Sequence, residues 1–232
     1  LGRARMSEPL FRHREGAGPL VVAMPHVGTH LPEEVAVSLT ELGRQVLDTD
    51  WHVDRLYGFL EGMDASAVIA TQSRTVAALN RPPENEALYP GRCETGLTPT
   101  STFDGQPLYL AGKAPDAAEV ALRVERWWRP YHDQLRQALG AARARHGYAL
   151  LLDAHSIRAE IPQLFEGRLP DVNVGTADGR SCDPGLTAAI VEVLQAQDRF
   201  TWIVNGRFKG GWTPRHYGQP AHGEHAVQFE LS

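Results

Sequence analysis

Five short apolar runs punctuate the chain, at 20–24, 67–70, 148–152, 201–204 and 226–231, and stretches with apolar residues at helical spacing lie between most of them. Runs of this length bounded by turn residues predict buried strands, and strands alternating with helices predict a largely parallel sheet. The expected architecture is α/β: a single domain on a mostly parallel mixed sheet flanked by helices. Residues 33–47 carry Val35, Leu39, Leu42 and Val46 at helical spacing, and 52–63 continue with Val53, Leu56, Tyr57 and Leu60, so two helices are predicted to pack on the sheet. Asp183-Pro184 predicts a helix start, a capping carboxylate followed by proline at the first helical position, with Leu186, Ile190, Val193 and Leu194 on one face. The region 116–146 also predicts helix, with Pro130 either starting a second helix or bending one. Between 81 and 115 the chain is rich in Pro, Gly and Thr and has no period, the pattern of a lid over a site or of a mobile linker.

The 232 residues, 42% of them hydrophobic, are enough to bury a full core. A net charge of −5 argues against a nucleic-acid or membrane-surface partner, both of which select a basic face, and leaves a small acidic molecule held in a local basic pocket. No apolar stretch approaches a membrane span, and Cys93 and Cys182 form neither a CxxC pair nor a disulfide framework, which together point to the cytoplasm. Residues 1–5 precede Met6 and are set aside as upstream sequence, leaving 6–232 as the domain. Oligomeric state leaves no mark in the sequence.

Two of the strand predictions end in histidine. The run 20–24 leads into Pro25-His26-Val27-Gly28-Thr29-His30, and 148–152 into Asp153-Ala154-His155-Ser156. The carboxyl ends of strands in an open α/β sheet share one edge, where ligands bind, so residues about 130 apart can converge there. Imidazole is the commonest metal ligand, and a catalytic zinc takes three protein ligands, so a carboxylate is expected beside His26 and His155. Asp50 is the first choice; Asp54 and Asp153 compete, and Asp153 could instead orient a ligating imidazole. His30, His222 and His225 are weaker candidates. In the last strand Val227, Phe229 and Leu231 alternate with Gln228 and Glu230. A glutamate next to a metal-activated water can serve as general base and then carry the proton to a leaving nitrogen. Arg74, Asn80 and Arg81 follow the second strand, and Arg158, Arg168, Arg207, Lys209 and Arg215 follow the third and fourth, where guanidinium groups could grip carboxylates or an oxyanion. There is no Gly-x-Ser-x-Gly elbow, so Ser156 is not expected to act as a nucleophile.

With Ser73-Arg74, Leu79-Asn80-Arg81-Pro82-Pro83, Asp48-Thr49-Asp50-Trp51-His52, Asp153-Ala154-His155-Ser156-Ile157-Arg158, Asn205-Gly206-Arg207-Phe208-Lys209-Gly210-Gly211 and His225 to Leu231 added to the first histidine turn, the chain resembles the N-formylglutamate amidohydrolase (deformylase) family over roughly 20–231. The resemblance implies a zinc-dependent hydrolase with a fold like that of zinc carboxypeptidases, with another divalent metal as the alternative ion. It implies cleavage of N-formyl-L-glutamate to formate and L-glutamate in histidine degradation. Thr29 stands where the carboxypeptidase pattern has a glutamate, three residues after the first histidine. The roles that follow are His26, Asp50 and His155 on the metal, Glu230 as base, Arg81 on the oxyanion, and Arg74, Asn80, Arg158, Lys209 and Arg215 on the substrate. The alternatives are a deacylase of another N-acyl amino acid, or a metal- or dicarboxylate-binding protein without catalysis.

Overall fold

The computed structural model describes residues 8–88 and 94–232; Cys93 and part of the 81–115 segment lie outside the described residues. The strands are β1 (Phe11–Arg14), β2 (Leu20–Met24), β3 (Ser66–Ala70), β4 (Ala149–Ser156), β5 (Val172–Gly175), β6 (Trp202–Val204) and β7 (Glu224–Leu231). They form one mixed sheet in the order β1-β3-β2-β4-β7-β5-β6. Pairing is parallel from β3 through β2 and β4 to β7 and between β5 and β6, and antiparallel where β1 meets β3 and β5 meets β7. The central β2 shows why its sequence is apolar at every position. Val21 and Ala23 enter one core, Val22 and Met24 another on the opposite face, so neither face meets water.

The larger core lies under a long helical run: α3 (Ala117–Arg123), a π turn at Val124–Trp128, and α4 (Arg129–His146). Pro130 falls inside this run, directly after the π turn, and the widened turn accommodates a residue that has no N–H to give. Trp127, Trp128, Tyr131, Leu135, Ala138, Leu139 and Ala142 face the sheet from this run. Helix α5 (Pro184–Gln195) starts as its sequence predicts: Asp183 caps it by accepting from the Gly185 N–H. Leu186, Ile190 and Leu194 of α5 cover Val174, Val227 and Phe229, while Val193 is exposed.

The helices predicted at 33–47 and 52–63 are largely replaced. Only α1 (Glu33–Ala36) and α2 (Val53–Leu56) are α-helical, with 3-10 turns at Gly43–Gln45 and Tyr57–Met63. Ser38 Oγ bonds the Val35 carbonyl and Thr40 Oγ1 bonds carbonyls at 107 and 108, so the backbone leaves the helix to pair Leu39 with Tyr109. Leu56, expected against the sheet, is exposed. Three elements have no counterpart in the sequence reading: the short polar edge strand β1, the four-residue β5, and α6 (Trp212–Tyr217), which follows the glycine-rich stretch. The described parts of 81–115 do not form a loose linker. Leu97, Leu108 and Tyr109 are buried in the main core. Among the described residues no helix is long and apolar enough to cross a membrane.

Candidate active site

Strand β4 runs four residues beyond the predicted 148–152, to Ser156, and includes the histidine, so its alternation fixes where that histidine goes. Leu151, Asp153 and His155 share a face, and the parallel register sets Gln228 beside Asp153 and Glu230 beside His155 on β7. All four polar side chains are buried. His26 reaches the same place from the turn after β2. That turn approaches the chain following β3 so closely that a Cβ on Gly28 would lie 2.2 Å from the Gln72 carbonyl oxygen, which excludes any larger residue. The Asp50 loop is tied to this turn by its own N–H, which donates to the His26 carbonyl at 3.0 Å.

The rings of His26 and His155 stand 4.9 Å apart, edge to face. Asp50 Oδ2 lies 2.9 Å from His155 Nδ1 and 4.0 Å from His26 Nδ1. One potential ligand atom from each of His26, Asp50 and His155 falls within 4.8 Å of the others, the only such group of three or more among the described residues. The other nitrogen of His155, Nε2, faces Asp153 Oδ2 at 3.2 Å. The two competing aspartates therefore differ in place: Asp153 holds the far side of the His155 ring, and Asp54 is turned away into an ion pair with Arg12.

This donor set fits a divalent metal. Two imidazoles and a carboxylate are a familiar triad for zinc, and a carboxylate on the outer imidazole nitrogen is its usual support. His26 Nε2 is buried with no hydrogen-bond partner among the described residues. Burial, followed by the charges of Arg74, His155 and Arg81, holds His26 well below the usual histidine range, in the neutral form that ligates. At His155 burial opposes the charge, but Asp153 and Asp50 outweigh it and raise its pKa well above that range. These carboxylates stabilise positive charge at the His155 ring. Burial, opposed by His155 and reinforced by Asp50, raises Glu230 to about 7.

Three guanidinium groups line the same cavity. Arg74 is buried, 3.9 Å from Asp50 Oδ1, and lies 4.8 Å over the Phe103 ring. Arg81 lies 3.5 Å from Glu94, and Arg207 is anchored through its guanidinium to the Leu164 carbonyl. The loop bearing Asn80 and Arg81 is gripped from beneath. His132 Nε2 lies 2.7 Å from the Leu79 carbonyl, and Trp128 Nε1 donates to that of Arg81 at 2.9 Å. Burial pushes the His132 pKa down to about 3, so it is neutral here.

Several predicted site residues are placed elsewhere. Arg158 pairs with Asp104 and Lys209 with Asp178, both partly or fully in solvent, and Arg215 Nε donates to the Gly210 carbonyl; none of the three lines the cavity. Asn80 does line it, but its amide is engaged by protein groups. His30 is exposed, His222 bonds Gln219, and His225 accepts from the Asp183 N–H near the opposite end of β7 from Glu230. Cys182 is a buried free thiol beside Thr187. Gln228, which lines the cavity, had no assigned role in the sequence, its signal being the strand face shared with Glu230; Arg207 is the one of the several candidate cations after the fourth strand that does line the cavity.

The match to known proteins runs over almost all of the chain. The family model for N-formylglutamate amidohydrolase matches residues 18–232. This chain belongs to that family. Two N-formylglutamate deformylases, from Pseudomonas aeruginosa and Pseudomonas putida, are each 48% identical over 225 residues, 97% of this chain and 84% of theirs. The crystal structure of an N-formylglutamate amidohydrolase from Ralstonia eutropha superposes with a TM-score of 0.78 at 29% identity, covering 95% of this chain and 84% of that one. A second solved structure, a gene product of Agrobacterium tumefaciens, shares the fold at a TM-score of 0.72 and 19% identity, over 97% of this chain and 85% of its own.

Proposed function

We propose that this chain is a metal-dependent deformylase that hydrolyses N-formyl-L-glutamate to formate and L-glutamate in histidine degradation. The observation that carries this is the convergence of His26, Asp50 and His155 within 4.8 Å, in a cavity also lined by Glu230 and by arginines. A divalent ion, zinc in the first instance, held by those three residues would supply Lewis acidity and lower the pKa of water. The likeness to the zinc carboxypeptidase fold belongs to the same reading, supported by parallel central strands whose carboxyl ends carry the donors.

Glu230 takes the proton from the attacking water and returns it to the departing amide nitrogen. A pKa of about 7 suits both transfers, since the group is near half-ionised at neutral pH. Asp153 holds His155 through Nε2 and so keeps Nδ1 turned toward Asp50 and His26. Arg81 stabilises negative charge developing on the formyl oxygen. Arg74 and Arg207 grip the two carboxylates of the substrate, which explains a cluster of cations inside an acidic protein.

The decisive experiment measures formate release and bound metal on one preparation, before and after chelation, with N-formyl, N-acetyl and N-succinyl glutamate and N-formyl aspartate. Preferential cleavage of N-formylglutamate that is lost with the metal and restored by zinc supports the proposal. Preference for another acyl group redirects it to a different deacylase, and tight binding without cleavage makes the chain a binding protein.

A further inference from the structure

The innermost polar groups of the cavity form a chain of amides whose direction is set by the backbone. The N–H of Gly211 donates to Gln228 Oε1 at 2.8 Å, and the N–H of Thr213 donates to Asn80 Oδ1 at 2.7 Å. A backbone N–H can only donate, so both side-chain amides must keep their oxygens toward the start of α6 and their NH2 groups away from it. Asn80 Nδ2 then donates to Asp153 Oδ2 at 2.9 Å and to Gln228 Oε1 at 3.1 Å. This leaves Gln228 Nε2 facing Glu230 Oε2 at 3.2 Å. Position 211 must be glycine for the chain to close, because a Cβ there would lie 2.4 Å from Asn80 Nδ2. Neither Gln228 nor Asn80 is free to flip, since reversing either would set NH2 against a backbone N–H.

We propose that Gln228 is the positioning residue for Glu230: its NH2 pins one carboxylate oxygen and leaves the other to exchange protons with the reacting groups. The proposal rests on Glu230 being the base. Gln228 and Glu230 stand two residues apart on one face of β7, so the strand sets their spacing and the amide chain sets their relative rotation. Both are buried, so water cannot replace the lost donor without entering the cavity. Asn80 acts one bond further back, and its NH2 is enclosed by Asp153 Oδ2, Gln228 Oε1 and His155 Nε2, the last at 2.9 Å, rather than offered to substrate.

The test compares Gln228→Leu with wild type for kcat, KM for N-formylglutamate and bound metal. Loss of the pin lowers kcat about 10- to 100-fold, the scale of a misplaced catalytic group, while KM stays within about twofold and metal content is unchanged. In single-turnover assays, Gln228→Leu has no further effect in a Glu230→Gln background, because the group it orients has lost its function. An unchanged kcat, a rise in KM alone, or the same fold loss in both backgrounds overturns the proposal. Should Gln228→Leu fail to fold, Gln228→Met, which keeps the length of the side chain and adds no charge beside Glu230, also removes the donor and carries the same expectations. A wild-type chain that releases no formate overturns the reaction and this role with it; formate release by wild type with full kcat in the variant overturns the role alone.

Discussion

His155, Gln228 and Glu230 stand on β4 and β7 in a register that fixes their direction, whereas Arg74, Arg81 and Arg207 reach the same cavity from irregular chain, each held by a few side-chain bonds. The strand-borne half inherits its geometry from the ladder and from apolar residues lower on the same strands. The loop-borne half depends on local partners: Phe103 beneath Arg74, the grip of His132 and Trp128 beside Asn80 and Arg81, and the Leu164 carbonyl at Arg207. Arg158, Lys209 and Arg215 do not line the cavity. They also follow strands, yet they bond to groups outside it. The two sets are thus held in place by different means, and substitutions in the two should read out differently.

The largest effect is expected at the end of the strand half. Glu230→Gln should lower kcat by about 10³-fold, within the range for loss of a general base, with metal content and KM little changed; near wild-type formate release would rule the role out. The same group sets a pH dependence. With its pKa raised by burial to about 7, Glu230 is protonated as pH falls through that value, so kcat should drop on the acid side with a midpoint no higher than about 7, since a bound cation favours the ionised form. The sign for stability is opposite to that of a paired carboxylate. A raised folded-state pKa stabilises the metal-free fold below the ordinary glutamate range, and this is lost as pH rises through about 7. Metal-free Glu230→Gln should then melt above wild type at pH 8 and level with it at pH 4.

Asp153→Asn should weaken metal binding by about 10- to 100-fold, as removal of a carboxylate behind a ligating imidazole does elsewhere; competition with a chelating dye measures it, and unchanged affinity would detach Asp153 from the site. In the loop half, Arg81→Ala should reduce kcat/KM by about 10- to 100-fold, equivalent to one charge-assisted hydrogen bond, and leave bound metal intact. Loss of metal from that variant would mean the two halves are not separable. The smallest effect is expected for Arg158→Ala and Lys209→Ala, whose solvent-exposed pairs contribute little to stability; kcat/KM should stay within about twofold, and a tenfold fall in either would bring that cation into the site after all.

Much of the frame was legible from the chain alone. The continuous apolar runs at β2 and β4, the alternation in β7 and the Asp-Pro start of α5 each carry a local signal that tertiary packing only confirms. The helices expected at 33–47 and 52–63 had the right apolar spacing, but Ser38 and Thr40 offered the backbone other hydrogen bonds, and Leu39 turned to pair with Tyr109. Strand β5 and helix α6 span four and six residues, too few for any period to stand out.

The sequence by itself determined which residue types arrive at the carboxyl edge of the sheet, because strand period and turn chemistry act over a few neighbouring residues. Only the tertiary structure decided among the aspartates, and among the cations. Asp50, Asp54 and Asp153 are alike as residues and close in motif context; one faces both imidazoles, one pairs with Arg12, and one lies behind His155. That choice depends on distances between segments about 100 residues apart, set by sheet order and register, and no local pattern encodes it.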